Sequence, residues 1–265
     1  MKIENLSVKA ETATAKLVAL VNKSGNVGKT TIGSCMIAPR LPKLALVAYI
    51  ENTNHIPNQI PAPIGVVYGA HEFGVVEKQL LDACLNGKSC LIDFGASDFN
   101  TTMEMLKQYK AVKNRVDVYL VPCTPGKKEQ IDTEVTIKAL IGLGVSPDKI
   151  RVLFNQVMHR DKPNLKRLFS GIFDLQQETM EKYGKTFFAR VEATMFQAEI
   201  FKRLYELEMS LAEVLADETD FEKAILDETD REKKYDLAHR MSIKGLAENA
   251  DETFDEVFEA LMVGI

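Results

Sequence analysis

The stretch from Lys16 to Ile37, KLVALVNKSGNVGKTTIGSCMI, carries the strongest chemical signal in the chain. An apolar run, Leu17–Val21, enters a polar turn containing Gly25 and Gly28 and leaves it through Gly28-Lys29-Thr30-Thr31 into a helix start. That order suits phosphate. Glycines let the backbone turn tightly with its N–H groups inward, and a helix N-terminus adds unpaired N–H groups and the positive end of its dipole. Lys29 is expected to bridge the β- and γ-phosphates, Thr30 to place its hydroxyl on magnesium and Thr31 to reach the α-phosphate. The expected nucleotide set in this loop is Lys23, Ser24, Gly25, Asn26, Val27, Gly28, Lys29, Thr30 and Thr31. The full spacing G-x-x-x-x-G-K-[ST] is not met, because Lys23 stands where its first glycine would fall. A plain strand–turn–helix is the bland alternative.

A second motif supports the first. In SCLIDFGAS (89–97), Asp93 ends an apolar strand, where a bare carboxylate is costly without a partner. Magnesium held through water would be that partner, and Gly95 follows where backbone must pass close to the γ-phosphate. Thr30 and Asp93 are the metal residues. Glu51 ends LALVAYI as another polar strand end. Asn155 and Gln156 end IRVLFNQ and offer carboxamides to a purine edge. No N/T-K-x-D guanine signature follows Phe154, which favours adenine. ATP and Mg2+ are the cofactors expected.

These residues need a frame that brings strand ends together. LVALV (17–21), LALVAYI (44–50), IGVVY (64–68), CLIDF (90–94), VDVYLV (116–121) and IRVLF (150–154) are short, apolar and bounded, as strands buried on both faces are. Helical spacing recurs between them over Glu72–Asn86, Phe99–Asn114 and Lys127–Leu143. The alternation predicts an α/β fold, a doubly wound, mostly parallel sheet with helices on both faces. NTNHIPNQIPAP (52–63) reads as a loop. A helix to about Tyr183 and a last strand at TFFARV (186–191) follow, and from Thr194 the chain is expected to be helical. DETDFEK (217–223) and DETDREK (227–233) repeat once, too little for a solenoid.

The chain of 265 residues carries a net charge of −5, unevenly shared. From Phe201 to Ile265 there are 8 basic and 18 acidic residues, so the body before them is mildly basic and the tail acidic. Two units are expected, a nucleotide-binding domain over 1–205 and an acidic helical extension over 206–265, either a solvated face or a dock for a basic partner. Cys35, Cys84, Cys90 and Cys123 form no CxxC pair and read as free or buried thiols. No apolar run is long enough to span a membrane, and MKIENLSVKAETATAK lacks the apolar core of a secretory signal. A cytoplasmic protein is expected.

The loop NKSGNVGKTT, Glu51, LIDFGAS, the LVPCTP strand and LFNQV together resemble the ParA/MinD group of P-loop ATPases with a deviant Walker A loop, over roughly residues 15–205. Within that group the chain looks most like the plasmid-stability StbB-type proteins. The resemblance implies a nucleotide-bridged homodimer, contact with nonspecific DNA or a basic DNA-bound adaptor, and a role in plasmid stability, partition or conjugation. It also implies that Glu51 joins Lys29 and Asp93 as the catalytic set. The family loop KGGxGKT has a signature lysine that crosses the dimer; here Ser24 holds that position, Lys23 lies one residue earlier and Asn26 replaces a glycine. The family's second acid on strand two falls at Thr53, which implies weak or partner-dependent hydrolysis. Asp98 is a substitute acid or an N-cap for the next helix. Lys107, Lys110, Lys113 and Arg115, and separately Arg160, Lys162, Lys166 and Arg167, are candidate phosphate contacts or ordinary solvated faces. Two other functions remain open: a nucleotide-binding scaffold that does not hydrolyse ATP, and an ATP-dependent ligase or synthetase acting on a small molecule.

Overall fold

Seven strands join one sheet in the order β3-β2-β4-β1-β5-β6-β7, and every neighbouring pair is parallel, in this computed structural model. The structure describes residues 14–51, 65–96, 99–207 and 209–265. The strands are β1 (Leu17–Leu20), β2 (Leu44–Ile50), β3 (Gly65–Tyr68), β4 (Ser89–Phe94), β5 (Val118–Cys123), β6 (Ile150–Val157) and β7 (Phe188–Phe196). After β1 the chain builds outward through β2 and β3, returns to place β4 beside β1, then crosses to β5 on β1's other side. Ligands of such sheets bind outside the strands' carboxyl ends, where the winding reverses. Lys23–Thr31, Glu51, Asp93 and Asn155 all lie at that end.

Each strand divides its side chains between two cores. Leu17, Ala19 and Val21 face α2 (Phe73–Leu85), α3 (Phe99–Gln108), α4 (Lys110–Arg115), α5 (Lys127–Gly142), α6 (Leu165–Leu168) and α7 (Ser170–Tyr183). Val18 and Leu20 face α1 (Lys29–Ile32), α8 (Ile200–Glu206), α9 (Leu211–Leu215) and α11 (Arg231–Met262). Helix α1 continues as a π turn, Gly33–Ile37, and a 3-10 turn, Ala38–Arg40. It lies so close to β1 that a Cβ on Gly33 would meet Leu20 Cδ1 at 2.8 Å.

The structure alters three sequence expectations. The helix expected over Phe99–Asn114 breaks at Tyr109 (φ −92°, ψ 66°), which turns its ring edge-on to Phe73 at 5.0 Å. The last strand runs on to Phe196, so the helical region starts at Ile200 rather than Thr194. Ala193, Thr194 and Met195 are buried there, and the register jumps from Val152–Ala189 to Phe154–Thr194, a bulge in β7. The repeated DETDxEK is a repeated helix start: Asp220 caps α10 (Phe221–Asp227) and Asp230 caps α11.

The acidic segment packs into the second core. Ile243, Ala247, Ala250, Phe254, Val257 and Leu261 form a stripe of three- and four-residue steps on α11, buried against the sheet. Arg40 donates from Nε to Asp255 at 2.7 Å and from Nη2 to Asp251 at 2.6 Å, tying the end of the α1 region to this helix. Arg151, buried in β6, stacks 3.5 Å over the Phe188 ring and donates to the Leu261 carbonyl at 3.2 Å.

Candidate functional site

The loop after β1 is held from three sides. From below, Asn22 Nδ2 donates to the Pro122 carbonyl at 2.6 Å and to Thr133 Oγ1 at 2.9 Å. From α5, Thr136 Oγ1 accepts from the Lys23 N–H at 3.1 Å, and Asp132 accepts from Ser24 Oγ at 3.2 Å and pairs with Lys23 Nζ at 3.1 Å. From β6, Asn155 Nδ2 donates to the Val27 carbonyl at 2.9 Å and Gln156 Nε2 to the Asn26 carbonyl at 3.3 Å. Both carboxamide nitrogens therefore serve the loop itself, a task that the purine-edge expectation did not include.

Gly28 shows why the loop needs its glycine. Its φ is +80°, the left-handed region, and a Cβ there would stand 2.7 Å from Asn155 Nδ2. Gly95 is equally constrained from the other side, since a Cβ would meet Glu51 Oε1 at 2.7 Å and the Ile50 carbonyl at 3.1 Å.

Lys29 is 5% exposed, and its ammonium donates to the carbonyls of Ser24 (2.9 Å) and Asn22 (3.4 Å). Burial lowers its pKa, opposed by the charges of Asp93 and Glu51. Neutral carbonyls hold it more weakly than a direct carboxylate pair would.

Thr30 Oγ1 donates to Asp93 Oδ2 at 2.7 Å. Burial pushes the Asp93 carboxyl up to about 6, against the Thr30 hydrogen bond and the Lys29 charge, with Glu51 adding to the rise. Among the described residues, Asp93 Oδ1 is buried without a hydrogen-bond partner. An acceptor of that kind beside a threonine hydroxyl fits hydrated Mg2+: the hydroxyl supplies a ligand and the carboxylate an acceptor for metal-bound water.

Lys23, Gly25, Asn26, Gly28, Lys29, Thr30, Thr31, Glu51 and Asp93 line one cleft of about 720 Å³. A second cleft of about 570 Å³ shares Gly28, Thr31 and Gln156 with it and extends between Asn155, Phe196, Gln197 and Phe201. The two together have a more polar end and a more apolar end. Thr53 and Asp98 lie outside the described residues. The sequence reading missed Asp132, Thr133 and Thr136, buried polar residues on a helix face; their signal was a one-sided lack of apolar residues in α5. The first basic cluster is partly engaged, since Lys113 Nζ donates to the Leu143 carbonyl at 2.6 Å and Arg115 pairs with Asp117 at 3.0 Å. Lys162, Lys166 and Arg167 of the second cluster line an open groove.

A parallel sheet that reverses at β1, a glycine loop running into a helix, a buried lysine in that loop and a buried carboxylate at the neighbouring strand end define a P-loop NTPase fold. No protein-family model and no curated protein sequence matches the chain. Among solved structures it is similar to pNOB8 ParA bound to nonspecific DNA (TM-score 0.52, 14% identity, covering 95% of this chain and 100% of that one). It is also similar to apo McdA from Cyanothece (TM-score 0.50, 14% identity, 93% and 99%). The fold is therefore of the ParA/MinD type. Among the described residues no helix is long and apolar enough to cross a membrane.

Proposed function

We propose that the chain is an ATP- and Mg2+-dependent molecular switch with slow or partner-stimulated hydrolysis, acting in the stability, partition or conjugation of plasmid DNA. The observation that carries the nucleotide reading is the Asp93 Oδ1, unpartnered among the described residues, beside the Thr30 hydroxyl and near an ammonium that donates to loop carbonyls. In this reading Lys29 neutralises the β- and γ-phosphates, and the loop N–H groups between Lys23 and Thr31 enclose them. Thr30 and Asp93 hold the metal, whose role when bound is to neutralise developing phosphate charge. Glu51 faces the same cleft, and the ring of adenine fits the end lined by Phe196 and Phe201.

The wider role rests on the sequence resemblance to plasmid-stability proteins and on the likeness to a ParA bound to nonspecific DNA. The groove lined by Lys162, Lys166 and Arg167, together with Glu192 and Glu256, is the more open of the two basic clusters and the DNA-phosphate candidate. Lys23 is half-exposed on its Asp132 tether, so an ATP-bridged homodimer could recruit it across the boundary. The acidic helices would face a basic adaptor. Calorimetry with Mg·ATP tests the core of this reading: saturable binding by the wild type, lost in Lys29→Ala. Sedimentation should show a nucleotide-dependent gain in mass that Lys23→Ala reduces. Absence of saturable heat would overturn the assignment; binding with no phosphate release, with or without DNA, would leave a non-hydrolysing scaffold. Turnover raised by a small metabolite and not by DNA would favour a ligase.

A further inference from the structure

Tyr49 is a polar tip in an otherwise apolar strand. It pairs in register with Asp93 across β2 and β4. Register partners on parallel strands project to the same face, and both side chains stand on the α1 side, as Val47 and Leu91 do. Tyr49 is 5% exposed. Among the described residues, its hydroxyl and Asp93 Oδ1 are the buried side-chain polar atoms without a hydrogen-bond partner. Each such atom is costly if left bare. That two should occur side by side, on paired residues, calls for one explanation rather than two.

The two atoms have complementary needs. A carboxylate oxygen accepts, and the phenol keeps its proton to donate, since burial and the Asp93 charge raise its pKa. A tyrosine ring carries its hydroxyl farther from the sheet than the short aspartate arm reaches, from a strand about 4.8 Å away. One water spans such a gap with two O–H···O bonds of about 2.8 Å each. Buried waters occur where otherwise unsatisfied polar groups converge.

We propose that a single buried water links Tyr49 Oη to Asp93 Oδ1, and that Tyr49 is thereby a positioning residue for the metal-binding carboxylate. With Thr30 on Oδ2 and the water on Oδ1, the carboxylate is held at both oxygens. One lone pair of Oδ1 is left for water bound to the metal. The water stands on the geometry alone; its consequence for metal binding rests on the nucleotide reading above.

Tyr49→Phe keeps the ring and removes the hydroxyl. A high-resolution crystal structure of the nucleotide-free wild type should show density within hydrogen-bond distance of both atoms, absent in the variant. Mn2+ titration of the ATP complex, followed by electron paramagnetic resonance, should show affinity weakened about 10-fold, as for other residues that orient a metal ligand. ATP affinity in excess EDTA should stay at the wild-type value, which separates positioning from a general structural effect. A dry site, or a Tyr49 hydroxyl bonded to a backbone carbonyl, would overturn the water. Equal Mn2+ affinity in the two proteins would overturn the positioning role. If wild type binds no Mn·ATP, that role falls with the nucleotide reading, while the crystal density still decides the water.

Discussion

The Asn155 amide nitrogen stands 2.7 Å from the place that a Cβ on residue 28 would take, and it donates to the neighbouring Val27 carbonyl at 2.9 Å. A strand end on the far side of β5 thus sets the shape of the loop after β1. Gly28→Ala would push this amide away and also force a side chain into left-handed backbone space, at a cost of about 1–2 kcal/mol before the collision is counted. Urea denaturation should show a loss of at least that size, and calorimetry should show no binding of Mg·ATP.

Asp93 predicts a pH dependence. Its folded pKa of about 6 lies above the ordinary aspartate value of about 3.9, so the folded chain holds a proton that the unfolded chain has released. Stability must then fall as pH rises from about 4 to about 6, by an amount on the order of 3 kcal/mol, and stay reduced above that. The wild-type stability curve minus that of Asp93→Asn should show this decline. Lys29 acts in the alkaline range with the opposite slope: its lowered pKa makes folding gain as pH rises toward the usual lysine value of about 10.4.

Asp132 holds Ser24 and Lys23 together from α5. Asp132→Ala leaves the Ser24 hydroxyl and the Lys23 ammonium without that acceptor, and the loop loses its anchor on one side. Amide hydrogen exchange at residues 23–25 should become faster. Mg·ATP affinity should drop by about 10-fold, since removing the acceptor of a charged hydrogen bond costs about 1.5–3 kcal/mol.

Arg40 ties the helix that follows the loop to Asp251 and Asp255 on α11. Both acids are substantially exposed, so the pairs are screened and Arg40→Gln should cost only about 1 kcal/mol at low salt. The difference from wild type should shrink in 1 M salt. A loss that ignores salt would mean that the arginine stem matters through packing on Phe254, whose ring centre lies 5.7 Å away.

The residues of the candidate site were legible as candidates because their signals are local. GKTT after an apolar strand, Asp93 at the end of another and the strand–helix alternation need only neighbouring residues to be read. Tyr109, the continuation of β7 and the core stripe of α11 were not legible in the same way. Tyr109 breaks a helix to pack on Phe73, and residues 193–195 stay extended because burial outweighs local propensity. The charge of 206–265 marks an exposed acidic face, but from Ile243 to Leu261 the other face of α11 packs into the core on the sheet.

By itself, then, the order of residues determined which groups could meet phosphate and metal, because the turn, the glycines and the buried strand ends are encoded within a few positions of one another. Only the tertiary structure decided what holds those groups. Asn155 reaches Val27 across 128 positions, Asp132 reaches Ser24 across 108, and Tyr49 lies beside Asp93 through a strand pairing. Such contacts depend on strand order and helix placement, which arise from burial over the whole chain.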